Sequence, residues 1–234
     1  MLSIITINKD NSAGLRKTIE SLQHLDHKQF QWVCIDSVST DGSVQLAQEF
    51  QSQNDIVISE KDSGIYNAMN KGILHAKENY ILFLNSGDIL SPEIQNLEFM
   101  KIVQGYDIAL FGFKIRNSVR KPRSNSWRFW SMPTSHQAIV YSRSLLQQHP
   151  FDEGYRFAAD FEHYLRINRS PIAIYSNEQA LIVNEPYGSD GHLPILLNEY
   201  RDALVKNGYP RLWAHLVYWM KTHYLKWALR ERSS

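Results

Sequence analysis

Residues 59–88 read SEKDSGIYNAMNKGILHAKENYILFLNSGD. A polar cluster closes one apolar run and opens a helix. The helix leads into a second apolar run, which ends on another polar cluster. Ile65, Ala68, Met69, Gly72, Ile73 and Ala76 recur on one helical face, which predicts a helix over Ser63–Ala76 packed on a sheet. Tyr80–Leu84 is a short, wholly apolar run and is predicted as a buried strand. Working back towards the N-terminus, Asp55–Ser59, Trp32–Asp36 and Leu2–Ile7 are further strands, with helices over Asp41–Gln51 and Ser12–Leu22 between them. Apolar strands alternating with helices indicate an α/β fold with a mainly parallel sheet covered on both faces. In such a fold, ligands bind beyond the carboxyl ends of the strands.

The second half is less regular. Ile108–Ile115 and Ala138–Tyr141 are predicted strands, and Phe157–Ile167 a helix. Pro171–Ile174 and Leu181–Val183 have the length of edge or hairpin strands, and Asn117–Pro133, rich in Arg, Ser, Pro and Trp, is expected to be a loop. No clean linker divides the chain. The expected organisation is one α/β domain over residues 1–192, followed by a helical extension over 193–234.

Composition narrows the function. The chain has 234 residues, 43% hydrophobic and 21% charged, which excludes wholesale disorder. Its 25 Lys and Arg stand against 24 Asp and Glu, a net charge of +1 that argues against a nucleic-acid partner. The balance is uneven: residues 210–234 hold five Lys and Arg against one Glu, together with Trp213, Trp219 and Trp227. From Pro210, Leu212, Trp213, Leu216, Val217, Met220, Tyr224, Trp227 and Ala228 fall at helical spacing. This helix is expected either to pack on protein, including a second subunit in a homodimer, or to lie on an anionic membrane surface. The second expectation is preferred, because Trp and Tyr favour the headgroup boundary and Lys and Arg favour anionic lipid. The N-terminal MLSIITINKDN lacks the pattern of a signal peptide, and no run reaches the ~18 apolar residues of a spanning helix. Cys34 is the one cysteine; it is expected to be a buried free thiol, which fits a reducing compartment.

The strand ends carry the candidate chemistry. The first strand ends in Thr6-Ile7-Asn8, the second in Asp36, the third before Asp62-Ser63-Gly64, and the fourth in Asn85-Ser86-Gly87-Asp88. Ser39, Thr40, Asp41 and Ser63 have helix-capping as an alternative role, Asp62 is suited to a helix N-terminus, and Asp88 to another helix start. Asp36 follows a strand directly and has no capping duty. Neither GxGxxG nor GxxxxGK[ST] is present. A bound nucleotide diphosphate would therefore be neutralised by a metal ion or by side chains.

The runs SIITINKDNSAGLRKTIESL, WVCIDSVSTDGS and SEKDSGIYNAMNKGILHAKENYILFLNSGD, with SHQAIVYSRSLL and FDEGYRFAADFEHYLRI, resemble glycosyltransferase family 2 over residues 2–170. The likeness extends to bacterial exopolysaccharide and O-antigen transferases of the colanic-acid type. It implies a GT-A fold and inverting transfer from a nucleotide-sugar, a UDP-sugar by default. The implied acceptor is a lipid-linked glycan in capsule or lipopolysaccharide synthesis, at the cytoplasmic face of the cell membrane. It further implies that Thr6, Asn8, Asp36, Asp62 and Ser86 bind the donor, and that Asp88 is the last carboxylate of a DXD-type motif holding Mn²⁺ or Mg²⁺. Asp160 matches the catalytic base, and His136 and Gln137 a segment near the reaction centre.

Asn85 and Gly87 stand where many members carry acidic residues, which leaves Asp88 as the one carboxylate of that motif. The central-helix Arg of the family is not evident; Lys71 is the nearest cation, suited either to phosphate or to solvent. Ala158 and Ala159 leave room around Asp160, and Phe157 and Phe161 are expected to dry it and raise its pKa. Glu162 is a rival base, ~200° around the helix, so both cannot face one site. His163, three residues on from Asp160, is placed either to hydrogen-bond it or to pair on the helix surface. A sugar nucleotidyltransferase and a non-catalytic carbohydrate-binding protein are the alternative functions.

Overall fold

The computed structural model describes residues 1–94, 96–116, 118–184 and 192–231, with side chains described up to residue 226. β1 (Leu2–Asn8), β2 (Phe30–Asp36), β3 (Ile56–Ser59) and β4 (Tyr80–Phe83) run parallel in the order β3-β2-β1-β4. α1 (Ser12–Leu22), α2 (Ser43–Phe50) and α3 (Ile65–His75) connect them. The chain steps outwards from β1 to β3 and then returns to the other side of β1. Loops leaving β1 and β4 therefore diverge, which opens a crevice at that switch point.

The period of two along each strand builds two cores. Leu2, Ile4, Trp32, Cys34 and Leu82 pack with Leu15, Ile19 and Leu22 of α1 and Ala47 of α2. Ile5, Ile7, Val33, Ile35, Ile81 and Phe83 pack with Tyr66, Ala68, Met69 and Ile73 of α3 on the other face. Cys34 is the expected buried free thiol. Gly72 lets α3 approach the sheet, because a Cβ there would lie 2.4 Å from Cγ2 of Ile5.

The sheet continues as β4-β8-β6-β9-β5, with β7 paired on β6. These strands are β5 (Ile89–Leu90), β6 (Ile108–Ile115), β7 (Ser118–Arg120), β8 (Ile139–Ser142) and β9 (Ile174–Asn184). β5, β7 and β8 oppose the rest, so six of the nine described strands share one direction. Two short strands were expected where the single strand β9 stands. It pairs with β6 from Ile174 opposite Ile108 to Asn184 opposite Ile115 and is irregular between Ser176 and Ala180. That polar irregularity interrupts the apolar pattern and hides the continuity. β7 lies in the expected loop; its three residues are exposed, so hydrophobic patterning carries no trace of it.

α4 (Phe99–Ile102) joins the first core, and α5 (Arg143–Gln148) and α6 (Ala159–Ile167) the second. α7 (Leu193–Lys206) and α8 (Arg211–Glu231) form the C-terminal extension. Ala158, Phe161 and Leu165 pack with Ala203 and Leu204 of α7 and Ala214 and Val217 of α8 in a third, smaller core. The packing expectation for this helix thus holds on one side of α8. Trp227, Ala228, Arg230 and Arg232 lie outside the described side chains. Among the described residues, no helix is long and apolar enough to cross a membrane.

Candidate functional site

A cleft of about 1740 Å³ lies at the carboxyl ends of the strands. Its floor at β4 is the turn Asn85–Asp88, which α1 pins. The Gly87 N–H donates to Thr18 Oγ1 (3.0 Å), the Thr18 hydroxyl donates to the Asp88 carbonyl (2.7 Å), and Asn11 Nδ2 donates to the Ser86 carbonyl (3.2 Å). Ser86 and Asp88 line the cleft, as does Asp62 after β3. Asp62 Oδ1 accepts the Gly64 N–H at 3.1 Å. Gly64 holds φ at +142°, a backbone state that side chains disfavour, and this carries the chain from β3 into α3 along the cleft wall. Gly64, not Ser63, precedes the first helical residue. Asp88 is followed by β5, so it starts no helix. Asp41 does serve the start of α2, accepting the Ser43 N–H at 3.1 Å.

Thr6, Asn8 and Asp36 sit beneath the cleft and do not line it. Thr6 is fully buried and accepts the Trp32 indole N–H at 3.0 Å. Asp36, 1% exposed, accepts from Asn8 Nδ2 (2.9 Å), the Ser39 N–H (2.8 Å) and the Ser59 hydroxyl (2.9 Å). Burial favours its protonated form, but the bonds from Ser39, Asn8 and Ser59 outweigh that and hold the carboxyl below the usual range. Lys71 stands away from the cleft. Its ammonium pairs with Glu60 at 2.8 Å and donates to the Lys61 carbonyl at 2.7 Å. Its role in the structure is to tie α3 to the exit of β3.

The opposite wall is built around Asp160, in the first turn of α6. Tyr66 donates its hydroxyl to Oδ1 at 3.1 Å, and His136 Nδ1 lies 3.5 Å from Oδ2. His136 Nε2 lies 3.5 Å from Asn85 Nδ2. Asn85, His136, Asp160 and Tyr66 therefore form one polar line across four segments of the chain. Gln137 lines the cleft beside His136 and accepts the Ser135 hydroxyl. Burial pushes the Asp160 carboxyl up, but His136, the Phe161 N–H and Tyr66 together pull it below the ordinary carboxylate range. The expectation of a raised pKa is corrected: the drying is present, and the neighbouring donors exceed it. The Tyr66 phenol is pushed up, first by burial and then by Asp160, so it remains a proton donor.

Glu162 does not share the site. It is fully buried, accepts from Arg166 Nε at 3.1 Å and from Asn207 Nδ2 at 3.4 Å, and lies 3.8 Å from Lys206 Nζ. His163 is not a partner of Asp160 either. Its ring is buried against Phe151 and Tyr141, and burial pushes its pKa down to about 3.

The metal question turns on Asp88. Asn184 Nδ2 donates to Asp88 Oδ1 at 3.0 Å. Asn184 Oδ1 and Asn85 Oδ1 are buried with no hydrogen-bond partner among the described residues. Leaving such acceptors unsatisfied is costly. Carboxylate and amide oxygens are the donors that Mg²⁺ or Mn²⁺ prefers, so the residues fit a divalent cation. Asn85 supplies a neutral oxygen where the family often carries a charged one. Among the described residues, no group of three or more His, Cys, Asp or Glu could hold a metal. Binding would rest on Asp88, amide carbonyls and donor phosphate.

Several contributors escape a reading of the sequence. Tyr66 looks like a core residue of α3. Glu199 of α7 accepts the backbone N–H groups of Arg156, Phe157 and Ala158 at 2.8, 2.8 and 2.9 Å. It thereby fixes the lead into α6.

The sequence model of Glycosyl transferase family 2 matches residues 3–163. An uncharacterized glycosyltransferase of Mycobacterium tuberculosis is 30% identical over 178 residues, which covers 70% of this chain and 68% of that protein. A PGL/p-HBAD biosynthesis glycosyltransferase of Mycobacterium bovis is 25% identical over 184 residues, 74% of this chain and 72% of that protein. Among solved structures, S. aureus TarS 1–349 in complex with UDP-GlcNAc superposes with a TM-score of 0.67 at 16% identity, over 94% of this chain and 71% of that one. The mannosyltransferase PcManGT from Pyrobaculum calidifontis, in complex with GDP-Man and Mn²⁺, gives 0.67 at 15% identity, over 94% and 68%. The sheet order, the crevice between β1 and β4 and these likenesses agree. The chain belongs to glycosyltransferase family 2 and is a glycosyltransferase of GT-A fold.

Proposed function

We propose that the enzyme moves a sugar from a nucleotide-sugar, a UDP-sugar by preference, to a hydroxyl of a lipid-linked glycan, with inversion at the anomeric carbon. The setting would be the synthesis of a bacterial surface polysaccharide. The observation that carries this reading is Asp160: a carboxylate kept ionised by His136, in the same cleft as Asp88. The UDP-GlcNAc and GDP-Man held by the solved neighbours support a nucleotide-sugar as donor, and the relative named for PGL/p-HBAD biosynthesis supports a biosynthetic role.

In an inverting transfer the acceptor oxygen attacks the anomeric carbon from the face opposite the diphosphate. The new C–O bond forms as the bond to the diphosphate breaks, and the hydroxyl proton passes to the base. Asp160 takes that proton. His136 keeps the carboxylate ionised and Tyr66 fixes its other oxygen, so the acidic residue is oriented before substrate arrives. Asp62 and Ser86 offer polar groups to the donor from the cleft wall, and Asp36, saturated by Asn8, Ser39 and Ser59, holds the exits of β1, β2 and β3 together beneath it. A divalent cation held by Asp88 with the Asn85 and Asn184 carbonyls would supply charge neutralisation for the departing diphosphate.

Attachment at a membrane face belongs to the same reading. Leu212, Trp213, Leu216, Trp219 and Met220 of α8 are exposed, with Arg211 and Lys226 beside them. Apolar and aromatic side chains bordered by cations suit the headgroup boundary of an anionic bilayer. The attachment face is narrower than the helical pattern alone suggests, because Ala214 and Val217 are buried and Lys221 turns inwards.

A thermal-shift screen of UDP-, GDP- and dTDP-sugars, with and without Mn²⁺, tests the donor. Stabilisation by one nucleotide class that needs the metal is expected. No stabilisation by any of them with metal present would overturn the reading.

A further inference from the structure

The basic and aromatic character of α8 continues into a second segment. Residues 108–151 hold seven Lys and Arg and no Asp or Glu. Four of these cations, Arg120, Lys121, Arg123 and Arg128, fall within residues 118–130, together with Trp127, Phe129 and Trp130. The rings join this segment to α8. Trp127 stacks on Phe129 with centroids 5.7 Å apart, Phe129 meets Trp213 at 5.6 Å, and Trp130 meets Tyr224 edge-on at 6.3 Å. The Lys221 ammonium donates to the Trp130 carbonyl at 2.7 Å and fastens the same seam.

Trp127 is 57% exposed and continues the exposed stripe of Leu212, Trp213, Leu216, Trp219 and Met220. At about 100° per residue, Arg211, His215 and Lys226 flank that stripe on one edge of α8. Trp213 and Tyr224 stand on the other edge, where residues 129 and 130 pack. Cations therefore border the apolar patch on both sides. Among the described residues, Lys121 is the one cation of residues 118–130 that pairs with a carboxylate, that of Glu178. A broad exposed apolar patch with such borders fits an anionic bilayer, where rings sit at headgroup level and cations meet lipid phosphates. The catalytic cleft reaches the same face: Val119, Arg120, Lys121, Arg123, Tyr224 and Leu225 line it together with Asp160.

We propose that residues 118–130 and α8 form one two-part docking surface for an anionic bilayer, with the edge of the cleft held against the headgroups. Trp127 and Phe129 would enter the interface beside Trp213, and Arg128 would meet lipid phosphate. An acceptor carried on a lipid would then reach Asp160 along the bilayer face, past β7 and Tyr224. The proposal rests on the membrane attachment in the reading above and adds to it a second element and the direction in which the cleft opens.

The test measures binding of the full chain to vesicles of phosphatidylcholine with phosphatidylglycerol, and of phosphatidylcholine alone. The wild type should prefer the anionic vesicles and lose that preference in high salt. Trp127→Ala combined with Arg128→Gln, neither of which lines the cleft, should weaken binding about fivefold or more, as expected for removing a cation and a ring from the contact. A second measurement does not depend on the stability of that variant. Trp127→Cys, labelled with a polarity-sensitive dye while Cys34 stays buried, should shift its emission to the blue on anionic vesicles. Ile102→Cys, exposed on α4 across the sheet, should not shift. Equal binding of the wild type to both vesicles, wild-type binding by the double variant, or an unshifted dye at position 127 would overturn the proposal. So would self-association of the wild type that the double variant loses while its vesicle binding is unchanged, which would assign the surface to a second copy of the chain. If Leu212→Glu with Trp219→Glu abolishes binding and the double variant at 127 and 128 does not weaken it, α8 attaches alone: the added element falls and the parent reading stands. Failure of every nucleotide-sugar to stabilise the wild type would strike the parent reading instead, so the two failures are distinguishable.

Discussion

At the scale of single residues, Asp160 owes its ionisation to partners from other parts of the chain. Tyr66 lies 94 positions away in sequence, and His136 comes from a separate turn. His136→Ala removes the main influence that lowers the Asp160 pKa and leaves burial to raise it. The sign is clear: the acid limb of kcat against pH, which marks protonation of the base, should move to higher pH in this variant. An unmoved limb would mean that His136 does not set the charge of Asp160. Tyr66→Phe should move it in the same direction by less. The sequence singled out Asp160 and His136 only through resemblance, and Asp88 first through its place at the end of the fourth strand. Asp36 stood out on physical grounds, as a carboxylate straight after a buried strand. In the structure its oxygens accept from Asn8, Ser39 and Ser59. Tyr66 and Glu199 were not legible, because a residue that acts across the fold carries no local pattern.

At the scale of elements, α3 and α6 are the two that must be placed closely. Gly72 brings α3 onto β1. Replacing a helical Gly by Ala ordinarily stabilises by up to about 1 kcal/mol. Here the new methyl meets the fully buried Ile5 side chain, so Gly72→Ala should instead destabilise, by about 1–3 kcal/mol as overpacking does. Chemical denaturation measures the sign. The placing of α6 depends on Glu199, which takes the three backbone N–H groups of Arg156, Phe157 and Ala158 immediately before it. Glu199→Ala should cost about 1–3 kcal/mol in stability, the scale of leaving donors unsatisfied. It should also lower kcat more than it raises KM for donor, since the base moves and the donor wall does not. The first four strands and their helices were legible because each strand is apolar on both faces and each helix shows one buried stripe. β5, β7 and the irregular middle of β9 were not, because they are short, exposed or polar where they pair.

At the scale of the whole molecule, the chain is not a catalytic body with a separate basic tail. The near-neutral total charge averages over residues with different tasks. Lys221 looks inwards, Arg211 and Lys226 look outwards, and Glu199 of the extension shapes the lead into α6. Deleting residues 210–234 would therefore damage the third core as well as any membrane contact. Surface variants separate the two effects. Leu212→Glu with Trp219→Glu should abolish flotation with phosphatidylglycerol vesicles and leave thermal stability nearly unchanged, as substitutions at exposed positions usually do. Flotation equal to wild type would remove the membrane from the proposed function. The most direct measurement of the central claim compares wild type with Asp160→Asn, following UDP binding and sugar transfer together. UDP affinity within about twofold of wild type, with transfer lower by about 10²–10⁴-fold, is the expected result for loss of a general base. Transfer at the wild-type rate in Asp160→Asn would contradict it.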